Sequence, residues 1–168
     1  MANHHAPLEV IENFMAQKRI AIAGISHDPK DFSRQLFDEL CRRGYDVVPV
    51  NPNVTEVEGR PCFARVQDIQ PPVDAALLMT SPQATDTVVS DCAAAGIQRI
   101  WMYQATGQGA VSEKAVAFCR ERGMQVVAGE CPYMFLPNTA WFHRCHGFIR
   151  LLTGKYPRRS AATLGAAE

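Results

Sequence analysis

The chain contains the stretch Gly24-Ile25-Ser26-His27-Asp28-Pro29-Lys30-Asp31-Phe32-Ser33-Arg34, which follows an apolar run and precedes an amphipathic segment. The apolar run at residues 20–24 belongs to a first parallel strand that we predict at residues 19–24, and the segment after the stretch predicts a helix that we expect Ser33 to cap. The first backbone N–H groups of a helix have no partners within it and carry the positive end of its dipole. A loop that joins a strand to a helix in this way therefore suits a phosphate group.

The rest of the chain repeats the alternation of strand and helix. Further strands are predicted at residues 46–50, 74–79, 99–103 and 125–128. The helices between them end at glycines, and we expect Ser81 to cap the second of these helices with Pro82 in its first turn. This pattern is typical of an α/β fold: a Rossmann-like, doubly wound parallel sheet of about five strands in three layers.

We expect a single domain over residues 1–156. Apolar residues at helical spacing predict an N-terminal helix over residues 7–17, and an aromatic-rich part predicts a covering helix near residues 138–153. Residues 157–168 are small and polar and predict a mobile tail. The aromatic side chains of the C-terminal part are expected in the core or at the contact of a homodimer.

The composition limits the classes of partner. The chain has 168 residues, is 47% hydrophobic and carries 17 basic and 17 acidic side chains. This balance produces no strong field, so neither a nucleic acid nor an anionic membrane is an expected partner. No apolar run approaches the ~18 residues of a membrane span, and the N-terminus does not resemble a secretory leader. We therefore expect a cytoplasmic protein.

The six cysteines form no Cys-x-x-Cys pair and are expected as reduced thiols. Cys131 falls just past the last predicted strand, where either a packed thiol or a reactive one fits. His143, Cys145 and His146 form the best metal candidate, but on a helix Cys145 would point away from the two histidines. We expect a structural cluster there and leave a redox or metal role open.

The ends of the predicted strands restrict the ligand. In open parallel sheets, ligands bind beyond the carboxyl ends of the strands, where the strand order reverses. A nicotinamide dinucleotide site uses the glycine pattern G-x-G-x-x-G and a carboxylate after the second strand. This chain has only Gly24 before Gly44, and it has Asn51 where the carboxylate would stand. A ligand with a phosphorylated ribose, either coenzyme A (CoA) or NADP, is therefore favoured.

Several motifs resemble those of the CoA-binding domain family, which shares its fold with the N-terminal part of the succinyl-CoA synthetase alpha subunit. The resemblance covers residues 18–136 and implies a Rossmann-like domain that binds CoA or an acyl-CoA. The motifs are Ala23-Gly24-Ile25-Ser26, Pro29, Ser33-Arg34, Gly44-Tyr45-Asp46-Val47-Val48-Pro49-Val50-Asn51-Pro52, Gly59-Arg60-Pro61-Cys62 and Pro72-Val73-Asp74.

The resemblance also implies roles for particular residues. Gly24, Ile25 and Ser26 would wrap the nucleotide, and Ser33 with Arg34 would approach its phosphates. Asn51 and Pro52 would border the adenine, and Thr80, Ser81 and Pro82 would line the opposite wall. The adjoining loops add two candidates, Tyr103 and His27, although an exposed histidine without a role is an equal alternative.

No catalytic residues can be identified from the sequence, which has neither a Ser-His-Asp order nor carboxylates at catalytic spacing. The ligase part of the synthetase, with its phosphorylated histidine, has no room in 168 residues. We therefore expect a CoA-binding module rather than an enzyme. Two alternatives remain: an NADP-dependent oxidoreductase, and a regulatory or partner subunit of an acyl-CoA ligase.

Overall fold

A computed structural model describes residues 6–104 and 109–137 of the chain. Within these residues, five strands form the main sheet and two short strands form a hairpin. One α-helix precedes the first strand, and three others connect strands of the main sheet. The main strands are β1 (Arg19–Ala23), β2 (Asp46–Val50), β5 (Ala75–Leu78), β6 (Arg99–Tyr103) and β7 (Gln125–Glu130), and the hairpin strands are β3 (Glu56–Val57) and β4 (Arg60–Pro61). The helices are α1 (Leu8–Met15), α2 (Phe32–Arg42), α3 (Pro82–Ala94) and α4 (Glu113–Glu121).

The main sheet is parallel throughout, with the strand order β2-β1-β5-β6-β7. From β1 the chain passes outward to β2, and then returns across the sheet to β5 on the other side of β1. The strand order therefore reverses between β1 and β5, and the carboxyl ends of these two strands mark the point where ligands bind in such sheets. The predicted fold class is confirmed.

Both faces of the sheet are covered because successive side chains of each strand point to opposite faces. On one face Ile20 and Ile22 pack with Leu36 and Phe37 of α2, in the same core as Phe14 of α1. On the other face Ala21 and Ala23 pack with side chains of α3 and α4. The result is the three-layer arrangement that the continuous apolar strands predict.

Trp101 anchors the centre of the first core. Its side chain is fully buried, and its ring meets those of Phe14 and Phe135 edge-on, with centroids 5.2 Å and 5.8 Å away. Its indole Nε1 donates a hydrogen bond of 2.9 Å to the carbonyl oxygen of Glu130 in β7. This bond satisfies the one polar atom of the largest buried side chain.

The start of α2 corrects one prediction. Asp31, not Ser33, is the N-cap: its carboxylate accepts the backbone N–H of Ser33 at 2.8 Å. Both residue types cap helices, but Ser33 lies within the first turn of α2, where its hydroxyl accepts the N–H of Ser26 in the preceding loop. The cap at Ser81 is confirmed, with Pro82 as the first residue of α3.

Some predictions fall elsewhere in the chain. The covering helix near residues 138–153, the tail at 157–168 and the cluster His143, Cys145 and His146 lie outside the described residues. Within residues 6–104 and 109–137, no helix has both the length and the apolar character that crossing a membrane would require.

Candidate functional site

Gly24 stands where the ends of β1 and β5 meet. Its φ is +85°, and a Cβ atom there would lie 2.8 Å from both the carbonyl oxygen of Met79 and Cγ2 of Thr80. The backbone N–H of Gly24 bonds to the carbonyl oxygen of Val50 at 2.9 Å, so the turn is tied to β2 as well. Only glycine combines this left-handed conformation with so close an approach, and the point of strand reversal therefore remains open beside the backbone.

The loop after Gly24 is held together by its own side chains. The Ser33 hydroxyl accepts the N–H of Ser26 at 2.9 Å and donates to Asp31 at 2.5 Å. The Ser26 hydroxyl in turn accepts the N–H of Asp28 at 3.1 Å. A carboxylate therefore already occupies the start of α2, and an incoming anion would share the helix N-terminus with Asp31.

Arg34 connects this loop to the β3–β4 hairpin. Its side chain is 8% exposed, its guanidinium forms an ion pair with Glu58, and its Nη1 donates to the carbonyl oxygen of Ser26 at 3.4 Å. Its Nε is buried and has no hydrogen-bond partner within the described part of the chain. Arg34 thus places a buried cation beneath the loop, with one N–H group unsatisfied.

Asn51 has a structural task at the end of β2. Its Nδ2 donates to the carbonyl oxygen of Ile25 at 2.7 Å, and its Oδ1 accepts the N–H of Asn53 at 2.8 Å. A carboxylate could not donate the first of these bonds. The geometry therefore explains why this position holds an amide instead of the acidic residue of a nicotinamide dinucleotide site.

A cleft of about 460 Å³ opens beside Gly24, between the ends of β1 and β2 and the first turns of α3. Small and apolar side chains make up most of its wall. The lining residues are Ala23, Gly24, Val50, Asn51, Pro52, Ala64, Arg65, Val66, Thr80, Ala84, Thr87, Val88 and Asp91.

A smaller hollow of about 190 Å³ lies at the start of α2 and the end of β6. Ser33 and Tyr103 line it, and Thr80 lines both this hollow and the larger cleft. The Tyr103 ring stacks on Phe32 with centroids 5.2 Å apart. Burial, with smaller effects of Cys131 and Asp31, raises the pKa of Tyr103 to about 12, so the phenol is neutral at physiological pH.

The predicted residues are thus divided. Gly24, Asn51 and Pro52 line the larger cleft, Ser33 and Tyr103 line the smaller hollow, and Thr80 lines both. The other six line neither cavity: Ile25, Ser26, His27, Arg34, Ser81 and Pro82.

The positions of these six differ among themselves. Ile25 is fully buried, so its side chain belongs to the core. His27 is exposed on the loop, and Ser81 is occupied in capping α3.

Sequence reasoning missed two charged residues of the larger cleft. Arg65 donates to Asp91 through Nε at 3.2 Å and through Nη2 at 2.8 Å. Arg65 lies in an irregular segment. An isolated parallel bridge between Val50 and Phe63 places this segment beside the end of β2. The sequence contained a signal only for Asp91: Ala84, Val88 and Asp91 are spaced so that they lie on one face of α3, the face that lines the cleft.

Cys131 follows β7 and is half-buried. Burial raises the pKa of its thiol, which disfavours the reactive thiolate at neutral pH. The cysteines of the described residues are free thiols, and no three His, Cys, Asp or Glu side chains in that part of the chain are grouped to hold a metal ion.

The chain is similar to several known proteins in sequence or in structure. The chain is 26% identical over 123 residues to the uncharacterized protein YneT of Bacillus subtilis, covering 73% of this chain and 88% of YneT. It is 27% identical over 129 residues to the alpha subunit of ADP-forming acetate–CoA ligase II of Pyrococcus furiosus, covering 73% of this chain but only 28% of that subunit. A solved structure of a hypothetical protein from Pyrococcus horikoshii matches with a TM-score of 0.68 at 27% identity, covering 79% of this chain and 87% of that one.

The family described as the CoA binding domain matches residues 18–137, which include every strand of the main sheet and both cavities. This range also agrees with the region in which the sequence motifs resemble that family. The chain therefore belongs to the CoA-binding domain family.

Proposed function

We propose that the chain binds coenzyme A or an acyl-CoA in the cleft beside Gly24. The observation that carries this proposal is the position of the cleft, at the carboxyl ends of β1, β2 and β5 where the strand order reverses. Ligands of open parallel sheets bind at this position. The volume of about 460 Å³ is within the range of roughly 300–1,000 Å³ that ligand sites span.

The adenine of CoA would pack against the apolar part of the cleft wall. Pro52, Val66 and Val88 present apolar surface there, and these side chains suit a flat aromatic base. The backbone around Gly24 and Ser26 would face the pyrophosphate. Since Thr80 lines both cavities, an extended ligand such as CoA would pass this residue on its way to the smaller hollow.

In this arrangement Ser33 and Arg34 would approach the phosphates from beneath the loop. The guanidinium of Arg34 is paired with Glu58, so a pyrophosphate would compete with that carboxylate for the cation. The buried, unsatisfied Nε shows that the bonding capacity of Arg34 is not exhausted by Glu58 and Ser26. His27 remains a candidate because it lies on the same loop.

We assign no catalytic residue and propose a binding module. A second candidate role, as a partner subunit of an acyl-CoA ligase, has the support of the 27% identity to the ligase alpha subunit. Purification as a complex with a ligase chain would favour this role. Light scattering that finds a monomer without such a chain would count against it.

Calorimetric titration with CoA, acetyl-CoA, NADP and NAD tests the proposal. We expect the two CoA species to bind. If neither binds while NADP does, the proposal is overturned in favour of an NADP-linked oxidoreductase.

A pair of variants on α3 tests the location. Ala84 lines the cleft and Gln83 does not, and both are exposed. In Ala84→Glu a carboxylate enters the cleft and repels the anionic ligand, so we expect CoA binding to weaken by about tenfold or more, which is about 1.4 kcal/mol. Gln83→Glu adds the same charge one residue away and should change the affinity by less than about twofold. Equal losses in the two variants would place the site elsewhere.

A further inference from the structure

We propose that Arg65, held in place by Asp91, binds the ribose 3′-phosphate of CoA and makes the cleft selective for CoA over dephospho-CoA. This inference rests on the proposed function and adds the recognition of one chemical group. Arg65 and Asp91 are the only charged side chains among the residues that line the cleft.

Asp91 holds Arg65 in place but engages only some of its N–H donors. Both carboxylate oxygens are engaged: Oδ2 accepts Arg65 Nε at 3.2 Å, and Oδ1 accepts Arg65 Nη2 at 2.8 Å together with Gln67 Nε2 at 2.9 Å. Nη1 of Arg65 has no partner within residues 6–104 and 109–137. The guanidinium is therefore oriented in advance, with donors left for a ligand.

The exposure of the two partners decides which charge a ligand meets. The side chain of Arg65 is 58% exposed, whereas that of Asp91 is 16% exposed. An anion that enters the cleft therefore approaches the cation, while the carboxylate lies behind it under three donors. Repulsion from Asp91 is weakened accordingly.

Thr87 adds a second free donor at the same end of the cleft. It lies one helical turn before Asp91 on α3 and also lines the cleft. In the described part of the chain its hydroxyl has no hydrogen-bond partner. Arg65 and Thr87 thus make one end of the cleft polar, while Val66 and Val88 keep the adjoining wall apolar.

This separation matches the chemistry of a phosphorylated adenosine. A phosphate monoester carries a charge of about −1.5 to −2 at neutral pH and accepts several hydrogen bonds. Arginine binds phosphate through a rigid set of N–H donors, and charge-assisted bonds of this kind are the strong ones. Dephospho-CoA has only a hydroxyl at this position, so it would lose these bonds while keeping every other contact.

The test compares CoA with dephospho-CoA by calorimetry in the wild-type protein, in Arg65→Gln and in Arg120→Gln. Arg120 is exposed on α4 and lines neither cavity, so its variant controls for the loss of one positive charge. We expect wild-type protein to bind CoA about tenfold more tightly than dephospho-CoA. Arg65→Gln should abolish this preference by weakening CoA alone, and Arg120→Gln should preserve it.

Other outcomes overturn the inference. A wild-type protein that binds both ligands equally well would refute it while leaving CoA binding intact. Equal weakening of both ligands in Arg65→Gln would also refute it, because the arginine would then act on the cleft as a whole. Binding of neither ligand by the wild type would instead refute the proposed function, and the inference with it. The unfolding midpoints of the variants confirm that each is folded.

Discussion

At the scale of single residues, Gly24 is under two constraints, whereas Gly44 is under one. Both have a φ of +85°, but a Cβ atom at Gly44 would meet nothing within 4 Å, while one at Gly24 would press on Met79 and Thr80. The same conformation is therefore present with and without a close neighbour, and this makes Gly44 a matched control.

We expect Gly24→Ala to lower the free energy of unfolding by more than Gly44→Ala does. The left-handed conformation costs each alanine about 1–2 kcal/mol, and the close approach should cost Gly24→Ala a further 1–3 kcal/mol, roughly. Denaturant unfolding of the two variants measures the difference. Equal losses in the two variants would show that Met79 and Thr80 can move away from a Cβ atom at residue 24 without a measurable loss of stability.

Asn51 shows how a residue gains a second explanation once its neighbours in space are known. In the sequence, Asn51 stands where a nicotinamide dinucleotide site has a carboxylate, and this favours a ligand with a phosphorylated ribose. In the structure its amide bonds to Ile25 and holds two loops together. The absence of the carboxylate thus has a structural cause in addition to any effect on the ligand.

At the scale of elements, an ion pair joins the β3–β4 hairpin to α2, and its two side chains differ in exposure. Arg34 is 8% exposed and Glu58 is 53% exposed, and Glu58 adopts a φ of 49° at the turn of the hairpin. Removing the carboxylate would leave a buried guanidinium without its main counter-charge. The hairpin therefore contributes to the stability of the loop although it lies outside the main sheet.

We expect Glu58→Gln to lower the free energy of unfolding by about 1–3 kcal/mol, the cost of leaving a buried charged group poorly satisfied. Glu56→Gln in the same hairpin serves as the control, because Glu56 is exposed and has no ion pair within the described residues. Denaturant unfolding at one pH compares the two variants. The role assigned to the pair is wrong if both behave as wild type.

If Arg34 also contacts the phosphates, saturation with CoA should reduce the loss caused by Glu58→Gln, because the ligand would supply the missing negative charge. The measurement is the same unfolding experiment with and without CoA. An undiminished loss would confine Arg34 to a structural role.

At the scale of the whole molecule, the cleft and the smaller hollow share the carboxyl edge of the sheet. Both cavities lie at the carboxyl ends of the strands, and the family match spans them. A ligand bound there should slow backbone amide exchange by ordering the loops that surround it.

We expect CoA to slow hydrogen exchange in residues 24–34, 50–53 and 79–84, and to leave helix α1, which lines neither cavity, unchanged. Mass spectrometry of peptides from protein with and without CoA measures the effect. Dephospho-CoA serves as a second ligand and should protect the same loops. Protection confined to the amino ends of the strands would contradict the proposed site.

Local patterns were sufficient to predict the main strands, the helices between them and the fold class. Apolar runs bounded by glycine or proline identify buried parallel strands, and apolar residues at helical spacing identify the covering helices. These signals are local because each element buries its own face. The start of α2 was the exception, since Asp31 and Ser33 are both capping residues and only the bond from the Ser33 N–H to the Asp31 carboxylate shows which of them is the cap.

The sequence by itself determined the doubly wound sheet, the loops at the carboxyl ends of its strands and the family resemblance, because all three depend on the order of neighbouring residues along the chain. Only the tertiary structure decided that Arg34 pairs with Glu58, that Arg65 pairs with Asp91, and that only half of the predicted residues line the two cavities. These partners are 24 and 26 residues apart, and folding brings them together through packing that no local pattern encodes. The stretch from Gly24 to Arg34 is thus a strand-to-helix loop by sequence, but its contacts and its open side are properties of the folded chain.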